Sequence, residues 1–238
     1  MDLTEEHCIP QLSIDCVVFG YQDSKLKVLI AQLNHEEEVW TLPGGFILQN
    51  EDIDSAAKRI LADRTGLKEV FLEQFKVFGR IDRINNSIID RIEGIINTNN
   101  DTELKKWLEW FSKRFVSIGY YALVDTNKVN LKIGEFDKSV CWIEINELPP
   151  MIMDHNEMVK VALKSLRLDL DKKLIGFNLL PETFTMRELQ ELYEAVYNKL
   201  FARNNFQKKI LDLGVLERLE KKYTGAANKA PFLYCFIK

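Results

Sequence analysis

The chain has 238 residues, of which 46% are hydrophobic and 29% charged. That composition excludes a disordered chain, and the length allows one large domain or a domain of about 150 residues with a small partner. No apolar run approaches the roughly 18 residues a membrane span needs, and the acidic start MDLTEEHCIP lacks the basic and apolar parts of a signal peptide. A cytoplasmic protein is therefore expected. The four cysteines, Cys8, Cys16, Cys141 and Cys235, form no CxxC pair and read as reduced thiols rather than a disulfide frame or zinc site. Charge is uneven. Residues 171–238 hold 12 basic and 8 acidic side chains, whereas residues 1–170 hold 20 and 28, so the net −4 divides into −8 and +4. Two modules with different partners are the simplest reading.

In chain order, Leu12–Tyr21 is rich in β-branched and aromatic residues and predicts a strand. A turn at Gln22–Ser24 leads to a second strand, Lys25–Leu33. The stretch Trp40 to Phe46 is a strand broken by Pro43 and the glycine pair Gly44-Gly45. Ile53, Ala56, Ala57, Ile60 and Leu61 recur at helical spacing, predicting a helix over Ile53–Thr65 that stops at Gly66. Further strands are expected at Val70–Gly79, Phe115–Val124 and Val140–Ile145, then a helix at Asn156–Leu168 with Asp154 near its start. Ser87–Lys113 breaks the strand pattern. Leu104, Trp107, Leu108 and Phe111 fall on one helical face, so this segment reads as an insertion, with Trp107 and Trp110 as packing residues of an added helix.

Past Leu170 the character changes. Asp171-Lys172-Lys173 is a charged linker. Thr185–Tyr197 opens with a capping box, Thr185 and Glu188. Ala202–Leu213 is a second helix ended by Gly214. Val215–Lys222 and Phe232–Ile237 read as a hairpin around a polar turn. Two short helices followed by a hairpin are the layout of a winged helix-turn-helix. The expected division is a domain at 1–170, with the insertion at 87–113, and a DNA-binding domain at 171–238.

The stretch from Gly45 to Leu67, preceded by Leu42-Pro43-Gly44, resembles the Nudix box. Gly45, Glu51, Arg59, Leu61, Gly66 and Leu67 stand at the box spacing. The resemblance implies a mixed α/β fold, an α/β/α sandwich around a mixed sheet. In active members the helix presents two carboxylates, four residues apart on one face, that hold Mg²⁺ against a diphosphate. Those positions here are Ile60 and Arg64. Isoleucine offers no oxygen, and a guanidinium ~4 Å from a divalent ion would repel it by roughly 8 kcal/mol at an effective dielectric of about 20. Glu51 and Asp63 remain but make a poor Mg²⁺ site. No catalytic residue, metal or cofactor is therefore expected, and Glu51 with Arg59 reads as a structural ion pair. A cleft for a small-molecule effector is still expected around Glu51, Arg59, Asp63, Arg64, Asp82 and Arg83. His155 is read as a helix-start residue.

Leu179-Leu180-Pro181, Phe184-Thr185, Leu189 to Ala195 and Arg203-Asn204-Asn205-Phe206 are similar to the winged-helix part of Nudix-related transcriptional regulators of the NrtR group. Ile14-Asp15-Cys16, Gly44-Gly45-Phe46 and Tyr120-Tyr121-Ala122-Leu123 extend the likeness through the N-terminal half. The closest likeness is to the arabinose-responsive branch, which implies an inactive sensor domain, a sugar effector and control of carbohydrate-utilisation genes. Rival readings are a hydrolase of ADP-ribose or a related nucleoside diphosphate, and a regulator that senses ADP-ribose. The group usually places a charged residue and Arg before Asn-Phe, so the order Arg203-Asn204-Asn205 puts the operator sequence in doubt.

Arg203, Asn204, Asn205, Gln207, Lys208 and Lys209 on the second helix carry donors suited to phosphates and base edges. Lys221, Lys222, Tyr223 and Lys229 of the hairpin would add phosphate contacts and salt dependence. Phe206, Ile210, Leu211 and Leu213 are expected in the core. A homodimer on a two-fold operator in double-stranded DNA follows from helix-turn-helix geometry.

Overall fold

The computed structural model describes residues 7–34, 37–67, 70–83, 109–110, 112–134, 136–172, 179–222 and 230–237. Residues 87–108 of the expected insertion, Lys173 of the linker, Tyr223 and Lys229 lie outside them. No helix among the described residues is long and apolar enough to cross a membrane.

The N-terminal part is organised on β1 (Cys8–Gln22), a long strand flanked on both edges. Its second half turns at Asp23 and Ser24, both at positive φ, into antiparallel β2 (Lys25–Leu33). Its first half pairs antiparallel with β4 (Gly44–Leu48), while its other edge runs parallel to β6 (Val116–Val124) from Leu12 to Gly20. Short β3 (Trp40–Thr41) and β7 (Asp137–Glu144) pair with β2, and β5 (Phe71–Phe78) closes the opposite edge against β6. The result is a seven-stranded mixed sheet.

Alternation along β1 divides the apolar residues between two faces. Ile14, Cys16 and Val18 meet Ala56, Ala57, Ile60 and Leu61 of α1 (Ile53–Thr65). Val17 and Phe19 meet Met158, Ala162 and Leu166 of α2 (His155–Lys172). This is the expected α/β/α sandwich. α1 keeps its predicted bounds because both ends are capped. Asp52 accepts the Ser55 N–H at 2.8 Å, and Gly66, at φ 73°, donates to the Ala62 carbonyl.

The C-terminal part contains β8 (Phe184–Thr185), α3 (Met186–Tyr197), α4 (Arg203–Asp212), β9 (Leu216–Lys221) and β10 (Phe232–Phe236). The capping box forms as expected: the Glu188 N–H donates to Thr185 Oγ1 at 3.2 Å, and the Thr185 N–H donates to Glu188 Oε2 at 2.6 Å. Phe184 and Thr185 also pair with Tyr234 and Leu233, so the wing is a three-stranded sheet rather than a plain hairpin. The two parts share one apolar cluster, in which Leu166 and Leu170 continue into Leu189, Leu192, Tyr193 and Val196. α2 reaches Lys172, past the expected boundary at 170. Its last turns hold α3 by polar contacts. Arg167 Nε donates to the Val196 carbonyl at 2.8 Å, Tyr197 OH donates to the Arg167 carbonyl at 2.9 Å, and Tyr193 OH donates to the Leu170 carbonyl at 3.2 Å.

Candidate functional site

A cavity of about 190 Å³ opens where the first half of β1, β4, the end of α1 and the start of α2 converge. Its aromatic walls are Phe46, Phe115 and Phe136; its charged groups are Asp15, Arg64, Arg83 and Asp137, with His155 beside them. Such a mixture of apolar wall and a few converging polar groups is the usual makeup of a small-molecule site.

Asp15 is the one carboxylate in the apolar run of β1, and three neighbours explain how it is tolerated there. Ser117 Oγ donates to Oδ2; the Arg83 guanidinium lies 3.5 Å from Oδ2; His155 Nε2 lies 3.7 Å from Oδ1. Opposite it on β4 is Gly44, where a Cβ would come within 2.5 Å of Asp15 Oδ1. Gly45 serves the other face: a Cβ there would stand 2.9 Å from Ile60 Cγ1. The glycine pair thus makes room for a buried carboxylate on one side and for the helix on the other.

Arg83 has a side chain only 2% exposed and is held by Asp154, whose oxygens accept from Nε at 2.8 and 2.9 Å. His155 opens α2 as expected, but it is also buried against the cavity. The Leu42 N–H donates to its Nδ1 at 3.0 Å, which leaves Nε2 to carry the hydrogen and face Asp15. Burial pushes its pKa below the usual imidazole value, and the Asp15 charge opposes this only in part, so the ring is neutral at pH 7.

At the other side of the cavity, Arg64 pairs with Asp137, whose side chain is 1% exposed. Asp137 Oδ2 also accepts the Gly134 N–H at 2.9 Å, and a Cβ on Gly134 would collide with the guanidinium.

Of the six expected cleft residues, Arg64 and Arg83 line the cavity; the other four do not. Glu51 and Arg59 face each other, with Arg59 Nε 2.9 Å from Glu51 Oε2 and Arg59 Nη2 also donating to the Phe46 carbonyl. That pair, which lowers the Glu51 pKa, fixes the box loop on α1 as expected of a structural ion pair. Asp63 is exposed, 3.9 Å from Arg59, and Asp82 is exposed and paired with Arg80. Sequence reading missed Asp15, Asp137 and Asp154. The signal for Asp15 was its place in a buried strand, because a buried charge demands a partner.

On the winged helix, Phe206 and Ile210 of α4 are buried, whereas Arg203, Asn204, Asn205, Lys208 and Lys209 are exposed and Gln207 is half-buried. Leu211 and Leu213, expected in the core, are exposed instead. Leu211 follows Asn204 and Lys208 at helical spacing and so shares their outer face, and Leu213 lies beyond the last helical residue. In the wing, Lys222 Nζ sits 3.2 Å from Glu188, and Lys221 lies over the Phe232 ring together with Arg218, a cation sequence reading passed over.

A NUDIX domain model matches residues 10–116, and the NrtR DNA-binding winged helix domain matches residues 176–236. The chain is 22% identical over 228 residues to an ADPR-responsive transcriptional repressor, NtrR, of Acinetobacter baylyi, covering 93% of this chain and 80% of that protein. Shewanella oneidensis NrtR crystallised with a 27mer DNA superposes with a TM-score of 0.70 at 24% identity, covering 95% of this chain and 94% of that one. A MutT/nudix family protein from Enterococcus faecalis gives 0.66 at 19% identity, covering 96% and 86%. These structural likenesses establish the fold. The molecule therefore has a mixed α/β Nudix fold followed by a winged helix, and over nearly its whole length it is similar to Shewanella oneidensis NrtR. The arabinose-responsive branch and a carbohydrate-utilisation role, both expected from the sequence, find no support here, since the matching relative responds to ADPR.

Proposed function

We propose that the chain is a ligand-responsive transcriptional repressor, whose Nudix domain binds ADP-ribose or a close nucleoside diphosphate sugar without hydrolysing it and whose winged helix binds operator DNA as a homodimer. The observation that carries this reading is the placement of α2. Its first residue, His155, borders the cavity, and Arg167 and Leu170, about 18–22 Å further along at 1.5 Å per residue, hold α3 of the winged helix. One helix thus borders the cavity at its start and holds the winged helix at its end. A ligand that prefers one setting of α2 shifts the population of that setting, and with it the pose of α4.

The chemistry of the cavity suits such a ligand. Phe46, Phe115 and Phe136 offer faces for a base, and Arg64 offers donors for phosphate oxygens. The A. baylyi relative, an ADPR-responsive repressor, supports the choice of effector. Against hydrolysis stand Ile60, 3% exposed beneath Gly45, and Arg64, engaged with Asp137, at the two positions where the box calls for metal-binding carboxylates.

Titration calorimetry with ADP-ribose, followed by chromatography of the same mixture incubated with Mg²⁺, separates this reading from a hydrolase. Saturable binding with the nucleotide recovered intact is expected. Conversion to AMP with multiple turnovers would overturn the non-hydrolytic reading, and lack of binding would overturn the choice of effector.

A further inference from the structure

Nudix chemistry implies Mg²⁺, and the residues around this cavity do not fit it. Mg²⁺ demands near-octahedral oxygen ligation. Among the described residues there is no cluster of three or more His, Cys, Asp or Glu side chains able to hold a metal. The two carboxylates that line the cavity are already engaged, Asp15 by Ser117 and Arg83, Asp137 by Arg64 and the Gly134 N–H. Glu51 is bound to Arg59, and Asp63 points to solvent.

We infer that Arg64 stands in for the missing metal, so that this site binds the diphosphate of its ligand through a guanidinium and without a divalent cation. The inference rests on the effector reading above. Three observations carry it. Arg64 occupies the box position of a metal-binding carboxylate and lines the cavity. Its guanidinium is held in place by Asp137, which is itself fixed by Gly134 at a point where no side chain would fit. Only one of its nitrogens is engaged, Nη1 with Asp137; among the described residues its other N–H groups have no protein partner. A guanidinium has five donors in a planar fork, so one edge can be pinned by a carboxylate while the other grips phosphate oxygens. Asp137 is then a positioning residue, orienting the fork rather than touching the ligand's phosphates.

The test is calorimetry of ADP-ribose on the full chain, once with EDTA and once with Mg²⁺. The two dissociation constants are expected to agree within about threefold. Binding that vanishes in EDTA and returns with Mg²⁺ would overturn the inference while leaving the effector reading intact. Binding absent in both would remove the effector reading and this inference with it. The double variant Arg64→Gln/Asp137→Asn removes the fork and its buried counter-charge together, and circular dichroism melting reports its folding. It is expected to bind about tenfold or more weakly in both buffers, because charge-assisted hydrogen bonds to phosphate are lost. Wild-type affinity in the folded variant would contradict the role of Arg64. Should the variant not fold, the EDTA comparison on the unaltered chain still decides.

Discussion

Arg83→Ala is expected to destabilise the chain by about 3–5 kcal/mol, lowering the melting temperature by roughly 10 °C in a protein of this size. The guanidinium is 2% exposed and lies between Asp154 and Asp15, whose side chains are 14% and 12% exposed. Its removal leaves one buried and one half-buried carboxylate within one cluster without their shared cation. Ser117 still donates to Asp15, but among the described residues no other side chain donates to Asp154. The neutral ring of His155 cannot supply the missing charge without overcoming its own burial. Arg80 is the built-in control. It lies three residues earlier, pairs with Asp82, and its side chain is 77% exposed. Exposed pairs of this kind add little to stability, so Arg80→Ala should leave the thermal midpoint unchanged. Equal melting temperatures for the two variants would show that the cluster around Arg83 does not hold the cavity together.

The second large effect is expected at the outer face of α4. Arg203 stands in its first turn, where recognition helices present side chains to base edges. Arg203→Ala is expected to weaken operator binding about ten- to hundredfold and to relax preference at one base pair. Lys208, a turn and a half further on, suits a backbone phosphate. Lys208→Ala should weaken all DNA sequences alike and reduce the slope of log affinity against log salt by about 1. Both side chains are exposed, so neither change should alter folding. Operator footprints and salt titrations that match the unaltered chain for both variants would mean α4 is not the reading helix.

Local signals carried most of the fold. The bounds of α1 were legible because the apolar spacing from Ile53 to Leu61 ends on Gly66, and a capping box marks α3 in four residues. β8 was not legible. Phe184 and Thr185 look only like a helix entrance until Leu233 and Tyr234, nearly fifty residues later, pair with them. Leu211 was misplaced for a related reason: on a ten-residue helix with two buried side chains, an apolar residue on the far face gives no sign of its exposure.

The site divides in the same way. Ile60 and Arg64 stood out because the box spacing says what belongs there. Their consequences needed the third dimension. Asp137 lies 73 residues from Arg64, and Asp154 lies 71 residues from Arg83. Those pairings depend on the strand order that brings β7 beside β2 and on where α2 begins. Nearest neighbours in the sequence misled instead. Glu51 and Asp63 were grouped with the cleft because they share the helix or its loop, yet Glu51 is turned onto Arg59 and Asp63 onto solvent.

In the proposed function α2 joins the cavity to the winged helix, and fluorescence anisotropy of labelled DNA from upstream of the chain's own gene tests that join most directly. In EDTA, saturating ADP-ribose is expected to weaken DNA binding about tenfold or more, and by linkage DNA should weaken ADP-ribose binding by the same factor. An affinity for DNA that stays the same as ADP-ribose is raised to saturation would contradict it.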